Sequence, residues 1–353
     1  MSEPGNATLR AIQQGGLASP DLFVQKIDPV RNAALVVGVT RKGYAQASFL
    51  DDRIFTPQTQ GTWISFAQLQ VALASVRDTK PLQFIFHAGH VGSTLLSRLV
   101  EEGGGTLHLR EPLTLRTLAE ISDWLDAPES LWSPAEFDVA VAAQLKLWSR
   151  GYADTKACIV KATSTAGRLG QRLLAAAPVS RAIYLSLAPE PFLAALLSGE
   201  NSPLDLRGHA AERARRLRRL IATPVPAVHQ LTLGGLAAMA WLTERLIEKR
   251  LVAAHGDRVL SLDFDVVLAD LGDAVARVAR HFGIELAAGY IASVPKHPLL
   301  ARYAKATEHA YSPALRAEIL AQSRARNAAE IKLGLDWLER IAAADPQAAS
   351  VFP

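Results

Sequence analysis

The chain reads as an α/β protein built on a central parallel sheet, with a small N-terminal addition and C-terminal helices. Three observations predict this. From residue 82 onward, short β-rich runs alternate with helical patterns, the signature of parallel strands joined by crossover helices. The run Phe84-Ile85-Phe86 is apolar without interruption, as a strand buried on both faces requires. It leads directly into the glycine-bracketed turn Ala88-Gly89-His90-Val91-Gly92 and then into a helical pattern.

The elements follow in order. The first twenty residues are polar and glycine-containing and read as a frayed tail. Residues 33 to 39 read as a strand, and Ser65 to Val76 as a short helix opened by a serine cap. Asp51-Asp52-Arg53 is a surface turn. A polar break from Asp78 to Pro81 places a boundary near residue 80, giving a small N-terminal region, 1–80, and a main domain, 81–353. Expected strands are Leu82 to His87, Thr106 to Arg110, Ala157 to Lys161, Arg181 to Leu187 and Arg258 to Leu262. Expected helices are Thr94 to Glu101, Leu113 to Leu125, Pro134 to Ser149, Thr165 to Ala177, Phe192 to Leu197 and Leu236 to Leu251. A closing helical section runs from about Pro313 to Ala343. In the arginine-rich stretch 207–219, Ala210, Ala214, Leu217 and Ile221 form the apolar stripe, which turns Arg215, Arg216 and Arg219 away from the core.

Composition narrows the function classes. Of 353 residues, 49% are hydrophobic and 20% charged, which describes a globular chain and not a disordered one. A formal charge of +4 carries no whole-protein signal for nucleic acid, so no nucleic-acid partner is expected. Cys158 is the single cysteine, which excludes an intramolecular disulfide and a multi-cysteine metal site. The N-terminus has neither the basic nor the apolar region of a secretory signal. The longest apolar stretch, Leu231 to Leu242, is too short to span a bilayer and contains paired glycines. A cytoplasmic protein without a membrane partner is the expectation.

The turn after the first strand of the main domain is suited to an anion. Gly89 and Gly92 allow a tight backbone path, and Ser93 and Thr94 open a helix whose first amides have no intrahelical partners. Phosphate or sulfate is the natural occupant, bound by Gly89, His90, Val91, Gly92, Ser93 and Thr94. An ATP-type loop carries a lysine immediately before its hydroxyl residue; here Gly92 precedes Ser93 directly. In an open parallel sheet, ligands sit beyond the carboxyl ends of the strands. That rule gathers the loop with Glu111, Lys161, Asp263 and Asp265 into one crevice, a group-transfer arrangement with acid/base capacity in the carboxylate. Asp263 and Asp265 read as strand-end or cap residues. His87, His90 and His108 have no accompanying acidic or cysteine ligand, so no metal site is expected.

On these residues the chain resembles the sulfotransferase family of P-loop proteins, in the style of the tyrosylprotein sulfotransferases and their bacterial relatives. Gly89 to Leu96 resembles the family's 5′-phosphosulfate loop. Leu109-Arg110-Glu111-Pro112 is similar to the segment that carries the glutamate base, and Ile159-Val160-Lys161 with the strand from Ser180 resembles its Lys-Asp-Pro region. Trp241 to Leu251 and Asp257 to Val267 resemble its late helix and strand. The similarity covers about residues 82 to 290. It implies a three-layer P-loop fold and a 3′-phosphoadenosine 5′-phosphosulfate donor. It also implies sulfuryl transfer to a hydroxyl or amine of a small-molecule or peptide acceptor, with Glu111 as base and His90 and Lys161 stabilising charge.

Three departures from the family pattern matter. The loop's usual basic residue falls at His90, so charge there depends on pH. The arginine and serine that normally hold the donor's 3′-phosphate fall at Leu187 and Ala195. Replacement cations are available in Arg215, Arg216 and Arg219, or in Lys296 to Lys305, a stretch that could fold over a nucleotide and includes Arg302. The alternatives are an ATP-dependent kinase and a catalytically silent nucleotide-binding protein.

Overall fold

The computed structural model describes residues 4–352. Among the described residues, ten strands form three sheets. β1 (Leu22–Asp28), β2 (Ala33–Gly38) and β3 (Gly61–Ser65) make an antiparallel sheet in the order β1-β2-β3. β4 (Leu82–His87), β5 (Leu107–Arg110), β6 (Cys158–Lys161), β7 (Ala182–Ser186) and β8 (Val259–Asp263) form the central parallel sheet, ordered β5-β6-β4-β7-β8. β9 (Arg302–Tyr303) and β10 (Ala306–Ala310) are a short antiparallel hairpin. The register places Ile85 of β4 opposite Lys161 of β6, and Arg110 of β5 opposite the same lysine.

The chain divides into two compact units. The first comprises Met1–Phe86, Thr94–Ile183 and Leu271–Pro295. Its antiparallel sheet is covered by Ile12 and Leu17 from one side of the chain and by Ala143 and Leu147 of the helix Pro134–Trp148 from another. That helix starts at a full capping box, with Ser133 and Glu136 satisfying each other's orphan amides. The buried Arg150 donates to the carbonyls of Leu17 (2.6 Å) and Ser19 (2.8 Å), and Arg110 to those of Tyr44 and Ala47, both at 2.9 Å. The second unit comprises His87–Ser93, Tyr184–Asp270 and Lys296–Pro353. Its axis is the helix Leu233–His255, packed on Ala328–Ala344, where Gly234 and Gly334 let the two backbones meet.

The sequence-based expectations hold for the central sheet, with strand ends moved by a residue or so. The expected frayed tail is instead a helix from Pro4 to Gln13, because Ile12 buries itself against the antiparallel sheet. β1 and β3 went unread. Arg216 does not face away from the core: it is buried, with its guanidinium on Glu212 at 3.1 Å, while Arg219 is exposed. The expected apolar stripe is buried throughout.

No helix among the described residues is long and apolar enough to cross a membrane.

Candidate functional site

β4 ends at His87, and the chain turns through Gly89 (φ 99°), His90 (φ 55°) and Gly92 (φ 60°) before the helix Ser93–Gly104 begins. Three left-handed residues in four positions curl the backbone tightly between the strand and the helix. His87 orients the start of the turn, its Nδ1 accepting from the Gly89 amide at 3.1 Å, which places its own proton on Nε2. Ser93 and Thr94 are buried at the helix start, and Thr94 Oγ1 finds no hydrogen-bond partner among the described residues. A buried hydroxyl without a partner is costly, and a phosphate or sulfate oxygen is the acceptor that would satisfy it.

The loop is braced from behind. Phe264, just after β8, lies so close to Gly92 that any side chain there would overlap its ring. Arg316 stacks over the same ring, 5.2 Å from its centroid, and donates to Asp265 at 2.9 Å. Asp263 caps the following short helix by accepting from the amides of Asp265 and Val266, the cap role expected for it.

His90 is the loop's only side chain able to carry charge. Crowding by protein and then the positive charge of Lys305 push its pKa down to about 4, with Asp205 opposing. The ring keeps a solvent-facing side, which softens the desolvation, but the direction is clear: the imidazole is neutral at pH 7. It offers one N–H, not a cation. Lys305 sits in the turn between β9 and β10, so the stretch expected to fold as a loop is a hairpin that brings a lysine within electrostatic reach of His90.

In the other unit, Glu111 follows β5 with φ 49°, a conformation that costs a non-glycine residue roughly 1 kcal/mol or more. Two contacts with Lys161 hold it: the Glu111 amide donates to the Lys161 carbonyl at 2.7 Å, and Lys161 Nζ pairs with Glu111 Oε1. Lys161 is fully buried and Glu111 nearly so. Arg110 pairs with Glu101, and burial, followed by the charge of Arg98, brings its pKa down to about 9. The Arg-Glu-Pro segment is thus pinned on both sides of the carboxylate. His108 is occupied structurally, bonded to Ser97 Oγ (2.7 Å) and Thr106 Oγ1 (2.9 Å), with burial pushing its pKa down to about 3. No group of three or more potential metal ligands occurs among the described residues. Of the candidate 3′-phosphate positions, Leu187 is buried and apolar, its carbonyl accepting from Trp241 Nε1 at 2.8 Å, and Ala195 offers no polar group.

Strand, glycine turn and helix belong to an α/β fold with a central five-strand parallel sheet. The chain is similar in structure to a sulfotransferase from Mycobacterium avium (14% identity, 91% of this chain and 95% of that one, TM-score 0.40). It is also similar to a sulfotransferase from Alicyclobacillus acidocaldarius (15%, 72% and 97%, TM-score 0.38) and to the sulfotransferase domain of the curacin biosynthetic pathway (12%, 67% and 85%, TM-score 0.38). No protein-family model matches the chain, and no curated protein matches it.

Proposed function

We propose that the chain is a sulfotransferase-like group transferase, moving a sulfuryl group from 3′-phosphoadenosine 5′-phosphosulfate to the hydroxyl or amine of a small-molecule or peptide acceptor. The observation that carries this reading is the loop itself: a left-handed turn, a helix start of buried hydroxyls, and an unpartnered Thr94 Oγ1. The absence of a lysine before Ser93 weighs against an ATP-type phosphotransferase.

When bound, the donor supplies a sulfur already activated by a phosphate leaving group. The loop amides with Ser93 and Thr94 hold the 5′-phosphate and take up the charge that develops on it. Glu111 accepts the proton from the acceptor's hydroxyl or amine. Lys161 pairs with that carboxylate and fixes its rotamer, acting through Glu111. His90, neutral, donates a single N–H to the transferring group. Leu187 and Ala195 do not fit a 3′-phosphate, and Lys305, near enough to lower the His90 pKa, is the candidate cation for the donor's remaining charge. The two missing residues favour the silent nucleotide-binding protein as second reading.

The test is a thermal-shift series with adenosine 3′,5′-bisphosphate, ATP and sulfate. A ligand at one hundred times its dissociation constant stabilises by about 2.7 kcal/mol. The bisphosphate should give the largest shift, and Lys305→Ala should reduce it more than the shift with adenosine 5′-phosphate. Equal shifts for the two nucleotides would remove this donor. Glu111→Gln should lower turnover by roughly 10²- to 10⁴-fold with nucleotide affinity retained; near-normal turnover would leave Glu111 a structural residue.

A further inference from the structure

Within the second unit, a cavity of about 620 Å³ opens at the carboxyl ends of β7 and β8, the size of a small-molecule pocket. Its walls are largely apolar, drawn from Leu187, Trp241, Val252, Leu262, Val351 and Phe352. Trp241 and Phe352 meet ring to ring, with centroids 5.1 Å apart. Glu248, on the helix Leu233–His255, interrupts this apolar surface. It is 3% exposed. Arg245 Nη1 donates to Glu248 Oε2 and, at 2.7 Å, to Ser186 Oγ. Glu248 Oε1 has no partner among the described residues. Burial raises the carboxyl's pKa, opposed first by Arg245 and then by the nearby Ser261 and Ser186 hydroxyls. Neither hydroxyl reaches Oε1 with hydrogen-bond geometry.

A buried acceptor in an apolar wall selects a ligand that brings one donor on an apolar body. The mouth adds a second requirement. Lys249 is exposed there, its Nζ donating to the Ser350 carbonyl at 3.2 Å, and Arg245 is part-exposed beside it. One carboxylate, Asp263, also lines the cavity, but it is engaged in capping the helix after β8, so the two cations at the rim favour an acid at the ligand's other end. None of these groups takes part in the transfer chemistry assigned above.

We propose that this cavity binds an organic acid whose apolar ring carries a single N–H or O–H donor, the donor meeting Glu248 Oε1 and the acid meeting Lys249 and Arg245.

The test titrates the full chain, without nucleotide, with indole-3-propionate and with 3-(4-hydroxyphenyl)propionate, by calorimetry and ligand-observed NMR. Omitting nucleotide keeps the result independent of the donor reading. Saturable one-to-one binding with a dissociation constant below about 1 mM is expected for at least one of them. Methylating the donor, as 1-methylindole-3-propionate or the 4-methoxyphenyl analogue, should weaken binding about tenfold or more. Lys249→Glu, on the exposed rim, should weaken it by a similar factor. Ala253→Trp, an exposed position on the cavity wall, should abolish it while circular dichroism and melting stay unchanged. The proposal is overturned if neither acid saturates up to about 10 mM. It also fails if the methylated analogues bind equally well, or if Ala253→Trp binds like the unmodified chain, which would mean that the cavity holds water alone.

Discussion

Gly92 is held to glycine for two separate reasons. Its φ of 60° is strained for any L side chain, and the space where a Cβ would stand is taken by the Phe264 ring. Gly92→Ala should therefore cost about 1 to 2 kcal/mol from the backbone alone and more from the overlap. Adding Phe264→Ala should recover the steric part and leave the backbone part, which denaturant unfolding of both variants would show. A second residue-scale prediction concerns acid. His108 titrates near 3 in the folded chain against an ordinary 6.5, so below pH 6.5 the unfolded chain takes up a proton that the folded chain refuses. Stability present above pH 6.5 should fall as pH drops towards 3, by up to about 1.4 kcal/mol per pH unit from this group. His108→Gln should flatten that slope in pH-dependent melts. At this scale the loop was legible because glycines and hydroxyls in a fixed order after an apolar strand have few other uses. The strand-end rule places Lys161 in the crevice but says nothing of its burial. Its complete burial follows from the pairing with Glu111, fifty residues away, which no local pattern carries.

Among elements, the helix Leu233–His255 is the most sensitive to a single atom. Thr232 caps it, accepting from the Gly235 amide at 3.2 Å, and Glu330 accepts from the Gly234 amide at 2.6 Å. A Cβ on Gly234 would run into the Glu330 carbonyl, and one on Gly334 into the Gly234 carbonyl. Gly234→Ala should destabilise by about 1 to 3 kcal/mol, measured by urea unfolding, although alanine ordinarily favours helices. The body of this helix was legible from Met239, Leu242 and Leu246, but its start was not, since paired glycines normally argue against a helix. The same limit explains Arg216. Helical spacing put it on the solvent side, and its i,i+4 bond to Glu212 lets it lie against the core instead.

For the whole molecule, the alternation of strands and helices identified the central sheet, but the antiparallel sheet escaped because β1 and β3 find their partners only through β2 and a helix a hundred residues on. The boundary near residue 80 remains a proposal with a direct test. Removing residues 1–80 would bare Ala143 and Leu147 and strip Arg110 and Arg150 of the carbonyls that satisfy them. Such a chain should lose cooperative unfolding and aggregate, as calorimetry and light scattering would report. The first unit also draws on Leu271–Pro295: Gln83 reaches the Phe282 carbonyl at 3.5 Å, and His281 the Ala182 carbonyl at 2.9 Å. On the ribosome, the segments that begin this unit therefore emerge long before the one that completes it. Nascent chains stalled before residue 271 should stay open to protease and to chaperones, and protection of the N-terminal half should arrive late, once Pro295 has cleared the exit tunnel.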